Sequence, residues 1–215
     1  FDNRPIEALQ YGVTEGYQPL IERVTDWMHN DKKIGKDTDS LIITSGAQQV
    51  MDLATKVLCN EGDVIISETP SFIGSLNCFR AYGVKLRGVE IEDDGISIEG
   101  LEKALKEEKN ARFIYVIPNF QNPSGVTMSF EKRKAVYELA RKYDVLILED
   151  NPYGELRFSG QPVPTIKSLD KYGRVVYFGS FSKILSPGIR IGFTTAPQEL
   201  INKMVICKQV QDVHT

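Results

Sequence analysis

Residues 176–192 read Val-Tyr-Phe-Gly-Ser-Phe-Ser-Lys-Ile-Leu-Ser-Pro-Gly-Ile-Arg-Ile-Gly. The apolar run ending at Phe178 has the composition of a buried strand, and Gly179 closes it. Ser180, Ser182, Lys183 and Arg190 follow within eleven residues, before a second strand-like run begins. Burying an ammonium without a partner is costly. A lysine so close to the end of a buried strand is therefore expected to be paired, or kept because its amine does chemistry.

The chain around this stretch is rhythmic. Short apolar strands are predicted at 41–44, 64–67, 84–91, 112–118, 145–148, 175–178 and 190–195. Helical spacing fills the intervals. Leu20, Ile21, Val24, Trp27 and Met28 share a face behind Pro19, and Val50, Leu53, Ala54, Val57 and Leu58 share another. Further helices are expected over 71–82, 101–108 and 198–213, and after the capping Ser129, with Val136, Leu139 and Ala140 turned inward. Strands alternating with helices predict an α/β fold with a mostly parallel, seven-stranded sheet. The strands lack clean alternation, as expected when both sheet faces are covered. Residues 1–40 form an N-terminal segment of loop and helix, 41–215 form one large domain, and 157–173 form a long surface connection.

With 215 residues, 41% of them hydrophobic, the chain can bury a large core. A net charge of −3 gives no reason to expect nucleic acid or an anionic membrane as partner, and Lys132-Arg133-Lys134 reads as one solvated helix face. Cys59, Cys78 and Cys207 form no C-x-x-C pair and no metal-ligand spacing with His29 or His214. They read as core thiols of a reducing, cytoplasmic protein with no metal. No stretch approaches the roughly 18 consecutive apolar residues of a membrane span. The first residue is Phe1 rather than a methionine, which leaves open what precedes it.

Ligands of open parallel sheets bind beyond the carboxyl ends of the strands. Those ends carry Ser45-Gly46-Ala47-Gln48, Glu68-Thr69-Pro70-Ser71-Phe72, Pro118 to Gly125, Glu149-Asp150-Asn151-Pro152-Tyr153, and Ser180 to Lys183. Singly, each is bland: a cap turn, a core ring, a tight turn, a solvated strand end. No G-x-G-x-x-G follows a strand and no P-loop occurs. Together they supply an anion cradle at a helix N-terminus, a flat ring, a carboxylate, a phenol, an amide and an amine. That set suits a flat, phosphorylated, heteroaromatic aldehyde.

Ser-Gly-Ala-Gln-Gln, Asn-Pro-Ser-Gly, Asp-Asn-Pro-Tyr and Ser-Phe-Ser-Lys, with an arginine seven residues later, resemble the fold-type-I aminotransferases in order and spacing. Ala-Leu-Gln-Tyr-Gly at 8–12, Leu-Ser-Pro-Gly-Ile-Arg-Ile-Gly, and Lys-Gln-Val-Gln-Asp-Val-His-Thr at 208–215 resemble the 2-aminoadipate/kynurenine branch. The resemblance implies a three-layer α/β/α large domain that uses pyridoxal 5'-phosphate. Lys183 would be the Schiff-base lysine and the base that moves the substrate α-proton. Asp150 would pair with the ring nitrogen, and Tyr153 and Asn122 with the phenolic oxygen. Ser180, Ser182, Arg190 and the backbone at Ala47 and Gln48 would hold the phosphate. Phe72 would stack on the ring. Tyr11 would reach the cofactor phosphate of a neighbouring subunit, in a homodimer with shared active sites, and Asn122 and Tyr11 would face the substrate. The implied reaction is amino transfer from a 2-aminoadipate, aromatic or branched-chain L-amino acid to a 2-oxo acid such as 2-oxoglutarate.

Three alternatives compete. Ser180-Phe-Ser-Lys183 is a literal S-x-x-K, the serine β-lactamase motif, but Pro187-Gly188 four residues beyond the lysine breaks the helix that chemistry needs. The same cofactor domain serves as effector sensor in some transcription regulators, behind a winged helix. A C–S lyase or decarboxylase would use the same residues. The family's C-terminal small domain, with the arginine that binds the substrate carboxylate, is expected to lie outside this chain, so the chain alone is expected to hold cofactor but transaminate poorly.

Overall fold

The computed structural model describes residues 10–215. Ala8 and Leu9 of the 8–12 motif, and the first part of the expected 1–16 loop, lie outside the described residues. Pro19 enters the first turn of α1 (Gln18–Trp27), where a missing N–H costs no hydrogen bond, and a π-helical turn (Met28–Lys32) extends it. The strands are β1 (Asp39–Thr44), β2 (Val64–Thr69), β3 (Lys85–Glu92), β4 (Gly95–Ile96), β5 (Ala111–Val116), β6 (Leu146–Asp150), β7 (Val175–Ser180) and β8 (Gly192–Pro197). The remaining helices are α2 (Ala47–Leu58), α3 (Ile73–Arg80), α4 (Ile98–Glu107), α5 (Phe130–Lys142), α6 (Ile166–Leu169) and α7 (Gln198–Gln211).

The strands form one sheet in the order β1-β8-β7-β6-β5-β2-β3-β4. Five of them, β3-β2-β5-β6-β7, run parallel, while β8 is antiparallel to both neighbours, β7 and β1. Seven strands match the sequence reading. The eighth, β4, is only two residues folded back on β3, too short to show a period.

Three layers result. α2, α3 and α7 bury Val50, Leu53, Phe79, Ile201 and Met204 against Ile42, Ile65, Phe113, Leu148 and Val176. On the other face α4, α5 and α6 bury Leu101, Leu105, Val136, Ala140 and Ile166 against Val64, Ile66, Ile114 and Ile147. α1 closes that same face at its far end, over Ile43, Tyr177 and Phe193. Adjacent strand residues such as Ile65 and Ile66 thus enter different cores, which is why the strands read as unbroken apolar runs. Among the described residues no helix is long and apolar enough to cross a membrane.

Two surface assignments need correction. Arg133 is fully buried, not on a solvated face: it donates to the carbonyls of Pro118, Met128, Val163 and Pro164 and to Asn119 Oδ1. The helical period accounts for this, since Arg133, Val136, Tyr137 and Ala140 share the inward face of α5. The 157–173 connection also turns inward, forming α6 under the cap of Thr165. There the buried Lys167 ammonium lies 3.0 Å from Asp39 and 3.2 Å from Asp170.

Candidate active site

Strand register gathers the predicted residues at one edge of the sheet. Thr44 at the end of β1 and Ser180 at the end of β7 both pair with Gly192, the first residue of β8. Asp150, the last residue of β6, pairs with Phe178 two residues before the end of β7. Along this edge the chain therefore presents, in order, Ala47 and Gln48 after β1, Arg190 before β8, Ser180 to Lys183 after β7, Asp150 and Tyr153 at β6, Asn122 after β5 and Phe72 after β2. Ten predicted residues, Ala47, Gln48, Phe72, Asn122, Asp150, Tyr153, Ser180, Ser182, Lys183 and Arg190, line one cavity of about 230 Å³, together with Met51, Ile117 and Pro152.

One end of the cavity is built for an anion. α2 begins at Gly46 with no side-chain cap, so its first backbone N–H groups have no intrahelical acceptor. Arg190 sits in the left-handed region (φ 55°), a cost accepted at the turn that aims its guanidinium at Gly46. A Cβ at Gly46, itself at φ 76°, would lie 2.6 Å from Arg190 Nη2, so only glycine lets the guanidinium come this close. The Ser180 hydroxyl accepts the N–H of Ser182 at 3.1 Å and keeps its own proton to donate.

The other end is built for a cation. Asp150 is 4% exposed; Tyr115 donates to its Oδ2 at 2.8 Å, and Ser75 lies 2.7 Å from the same phenol. Oδ1 is buried with no partner among the described residues. Burial pushes the Asp150 carboxyl up to about 7, against the Tyr115 hydrogen bond that draws it down. A buried carboxylate oxygen facing a cavity is the group that a protonated ring nitrogen satisfies. Beside it, Asn122 donates to the Tyr153 hydroxyl at 3.3 Å. A buried chain from Arg133 through Asn119 and Asn151 to Tyr177 fixes the segment that carries Tyr153. The expected solvated strand end at Glu149-Asp150 is thus wholly interior: Glu149 accepts the first N–H groups of α6 from Ile166 and Lys167.

Lys183 differs from its expected setting. It lies three residues beyond β7 and is exposed, with no hydrogen bond or ion pair among the described residues, so desolvation does not account for it. Of the two possibilities left by the sequence, pairing is absent here and an amine free for chemistry is what the geometry offers. Ser180 ends a strand, so no helix carries Ser180 to Lys183 and the S-x-x-K arrangement does not form. Tyr11 is not brought to the cavity: it is 80% exposed, its ring edge-on to His214. Phe72 both lines the cavity and packs on the core.

Sequence reasoning missed Tyr115 and Glu68. Glu68 is buried at the end of β2 and accepts the N–H of Ile117 at 3.0 Å and Gln121 Nε2 at 3.4 Å. Burial pushes its carboxyl up to about 8. A carboxyl with a raised folded pKa stabilises fully below its unfolded value, near 4.5, and loses that contribution as pH rises through about 8. Glu68→Gln is expected to leave urea stability unchanged at pH 4 and to raise it at pH 8.5 by roughly 2–4 kcal/mol. Equal shifts at both pH values would show that ionisation of Glu68 is not the cause.

The profile of the family "Aminotransferase class I and II" matches residues 6–211. Aromatic-amino-acid aminotransferase 1 of Thermococcus litoralis is 45% identical over 213 residues, covering 97% of this chain and 51% of that protein. An uncharacterized HTH-type transcriptional regulator of Bacillus subtilis, YisV, is 35% identical over 210 residues, covering 98% of this chain and 43% of the regulator. The crystal structure of Pyrococcus horikoshii kynurenine aminotransferase in complex with PMP, KYN as substrates and KYA as products superposes with a TM-score of 0.96 at 43% identity. It covers 100% of this chain and 54% of that one. The chain spans about half the length of the relatives it matches. A family profile matched over residues 6–211, with relatives aligned along nearly the whole chain, makes this protein a member of the class I and II aminotransferase family.

Proposed function

We propose that this chain is the cofactor-binding large domain of a pyridoxal-phosphate-dependent aminotransferase, which moves the amino group of an aromatic or 2-aminoadipate-like L-amino acid to a 2-oxo acid. The single observation that carries the reading is the unpartnered, buried Asp150 Oδ1 in a cavity also lined by Arg190 and the first residues of α2. When bound, pyridoxal phosphate supplies an aldehyde and an electron-accepting ring, so that the amino group can be carried from donor to acceptor. The backbone at Ala47 and Gln48, the Ser180 and Ser182 hydroxyls and the Arg190 guanidinium would hold its phosphate. Asp150 Oδ1 would hold the proton on the ring nitrogen, and Tyr153 and Asn122 would hold the phenolic oxygen. Phe72 would cover the ring face and exclude water. Lys183 Nζ would hold the cofactor aldehyde until the donor's amino group displaces it, and the freed amine would then take the proton from the donor's Cα.

Tyr11, exposed and not among the residues lining the cavity, is in keeping with a homodimer in which it serves a neighbour's site. The aromatic or 2-aminoadipate-like donor is supported by the likeness to an aromatic-amino-acid aminotransferase and by the motifs shared with the 2-aminoadipate/kynurenine branch. A second reading, an effector-binding domain of a regulator, is favoured by the 35% identity to YisV. The two readings separate on adding an aromatic L-amino acid to the full-length protein loaded with pyridoxal phosphate, because the large domain alone is expected to transaminate poorly. Amino transfer is expected to give one equivalent of 2-oxo acid and the amine form of the cofactor. Retained aldehyde with no oxo acid over hours would sink the enzyme reading for this chain.

A further inference from the structure

The motif at 208–215 has no part in the chemistry above, yet it touches the cradle. Lys208, on α7, has no exposed surface, and its ammonium lies 2.7 Å from Asp212 Oδ1. Asp212 Oδ2 accepts hydrogen bonds from Ser45 Oγ and Gln49 Nε2, both at 2.8 Å. Gln49 Oε1 in turn accepts the backbone N–H of Ser45 at 2.9 Å, and Thr215 Oγ1 lies 3.4 Å from Ser45 Oγ. Ser45 immediately precedes Gly46 and the uncapped start of α2. A carboxylate is thus bonded to the very turn that would receive a phosphate, where its charge alone would repel the ligand.

We infer that Lys208 is a positioning residue that makes this turn usable by an anion: Asp212 fixes the Ser45-Gly46 turn with its hydrogen bonds, and the buried Lys208 ammonium cancels the charge Asp212 brings. The inference rests on the phosphate cradle proposed above. Three of its features follow from electrostatics. Lys208 is fully buried and the Asp212 side chain about a quarter exposed, so a carboxylate left without the lysine would still act on the turn it is bonded to. The lysine has no other partner among the described residues, so its charge serves Asp212 alone. A neutral pair could give the same hydrogen bonds with no net field at the cradle.

The test compares dissociation constants of pyridoxal phosphate and of pyridoxal by equilibrium dialysis, for the 215-residue chain and three variants. Both ligands carry the aldehyde, so the ratio isolates the phosphate. Lys208→Met is expected to weaken the phosphate ligand about tenfold relative to pyridoxal, with the loss shrinking at high salt. Asp212→Asn, which keeps the shape and leaves the lysine charge, is expected to shift the ratio the opposite way. The double variant, neutral again, is expected to return to within about twofold of the parent ratio, because the two changes are coupled through one pair. Variants that lose both ligands alike, or a double variant no better than Lys208→Met, would overturn the charge-cancelling role while leaving the cradle intact. A parent chain that binds both ligands equally would overturn the cradle itself. If Lys208→Met does not fold, Asp212→Asn and the double variant still decide the sign.

Discussion

Lys183→Ala is expected to abolish covalent retention of pyridoxal phosphate. After incubation with cofactor and borohydride reduction, the parent chain should gain the mass of one reduced cofactor and the variant none. The expectation is sharp because Lys183 is the only amine among the residues lining the cavity. The buried lysines elsewhere are committed: Lys167 to Asp39 and Asp170, Lys208 to Asp212. The variant should otherwise be well behaved. Lys183 is exposed and makes no hydrogen bond among the described residues, so its removal should change stability by no more than about 0.5 kcal/mol. The cradle and Asp150 are untouched, so reversible binding should persist with weaker affinity. An adduct of the same stoichiometry on the variant, mapped to another lysine, would refute the assignment of Lys183.

The parts of the site legible in the sequence are those fixed by chain direction alone. Parallel strands put Thr44, Asp150 and Ser180 at one edge whatever their side chains do, so residue types following each strand could be pooled before any contact was known. The residues that tune the site were hidden for the opposite reason. Tyr115 sits inside the apolar run of β5 and looks like core; only the adjacency of β5 and β6 brings its hydroxyl to Asp150. Glu68 looks like the polar end of β2, yet the loop after β5 folds over it and seals it from water. Lys183 shows a different failure. Its place after an apolar run suggests burial, but the turn after β7 carries it out of the strand layer and leaves its amine exposed. Arg133 belongs to a run of charge that reads as a solvated face, yet the helical period sets it with Val136, Tyr137 and Ala140 on the inward side of α5.

Asp150→Asn is expected to separate stability from catalysis. Asparagine keeps the shape of the side chain and can still accept the Tyr115 hydroxyl, so the fold has no reason to change. The parent carboxyl, pushed up to about 7 by burial, stabilises the unliganded chain below its unfolded value and withdraws that contribution as pH rises through 7. The variant has no such group, so without cofactor it should match the parent near pH 3.5 and exceed it at pH 8.5. Turnover should move the other way. The ring nitrogen would lose the charge that holds its proton in a water-excluded site, and removing one such preorganised partner typically costs on the order of 10²–10³-fold in rate. The amino-acid half-reaction should slow by that factor, while cofactor affinity, dominated by the cradle at Arg190 and the start of α2, falls far less. Asp150→Glu should not rescue the rate, because an added methylene displaces the carboxylate from the Tyr115 bond that aims Oδ1 into the cavity. An asparagine variant that transaminates at the parent rate, or that loses stability equally at both pH values, would mean that Asp150 holds the fold and not the ring.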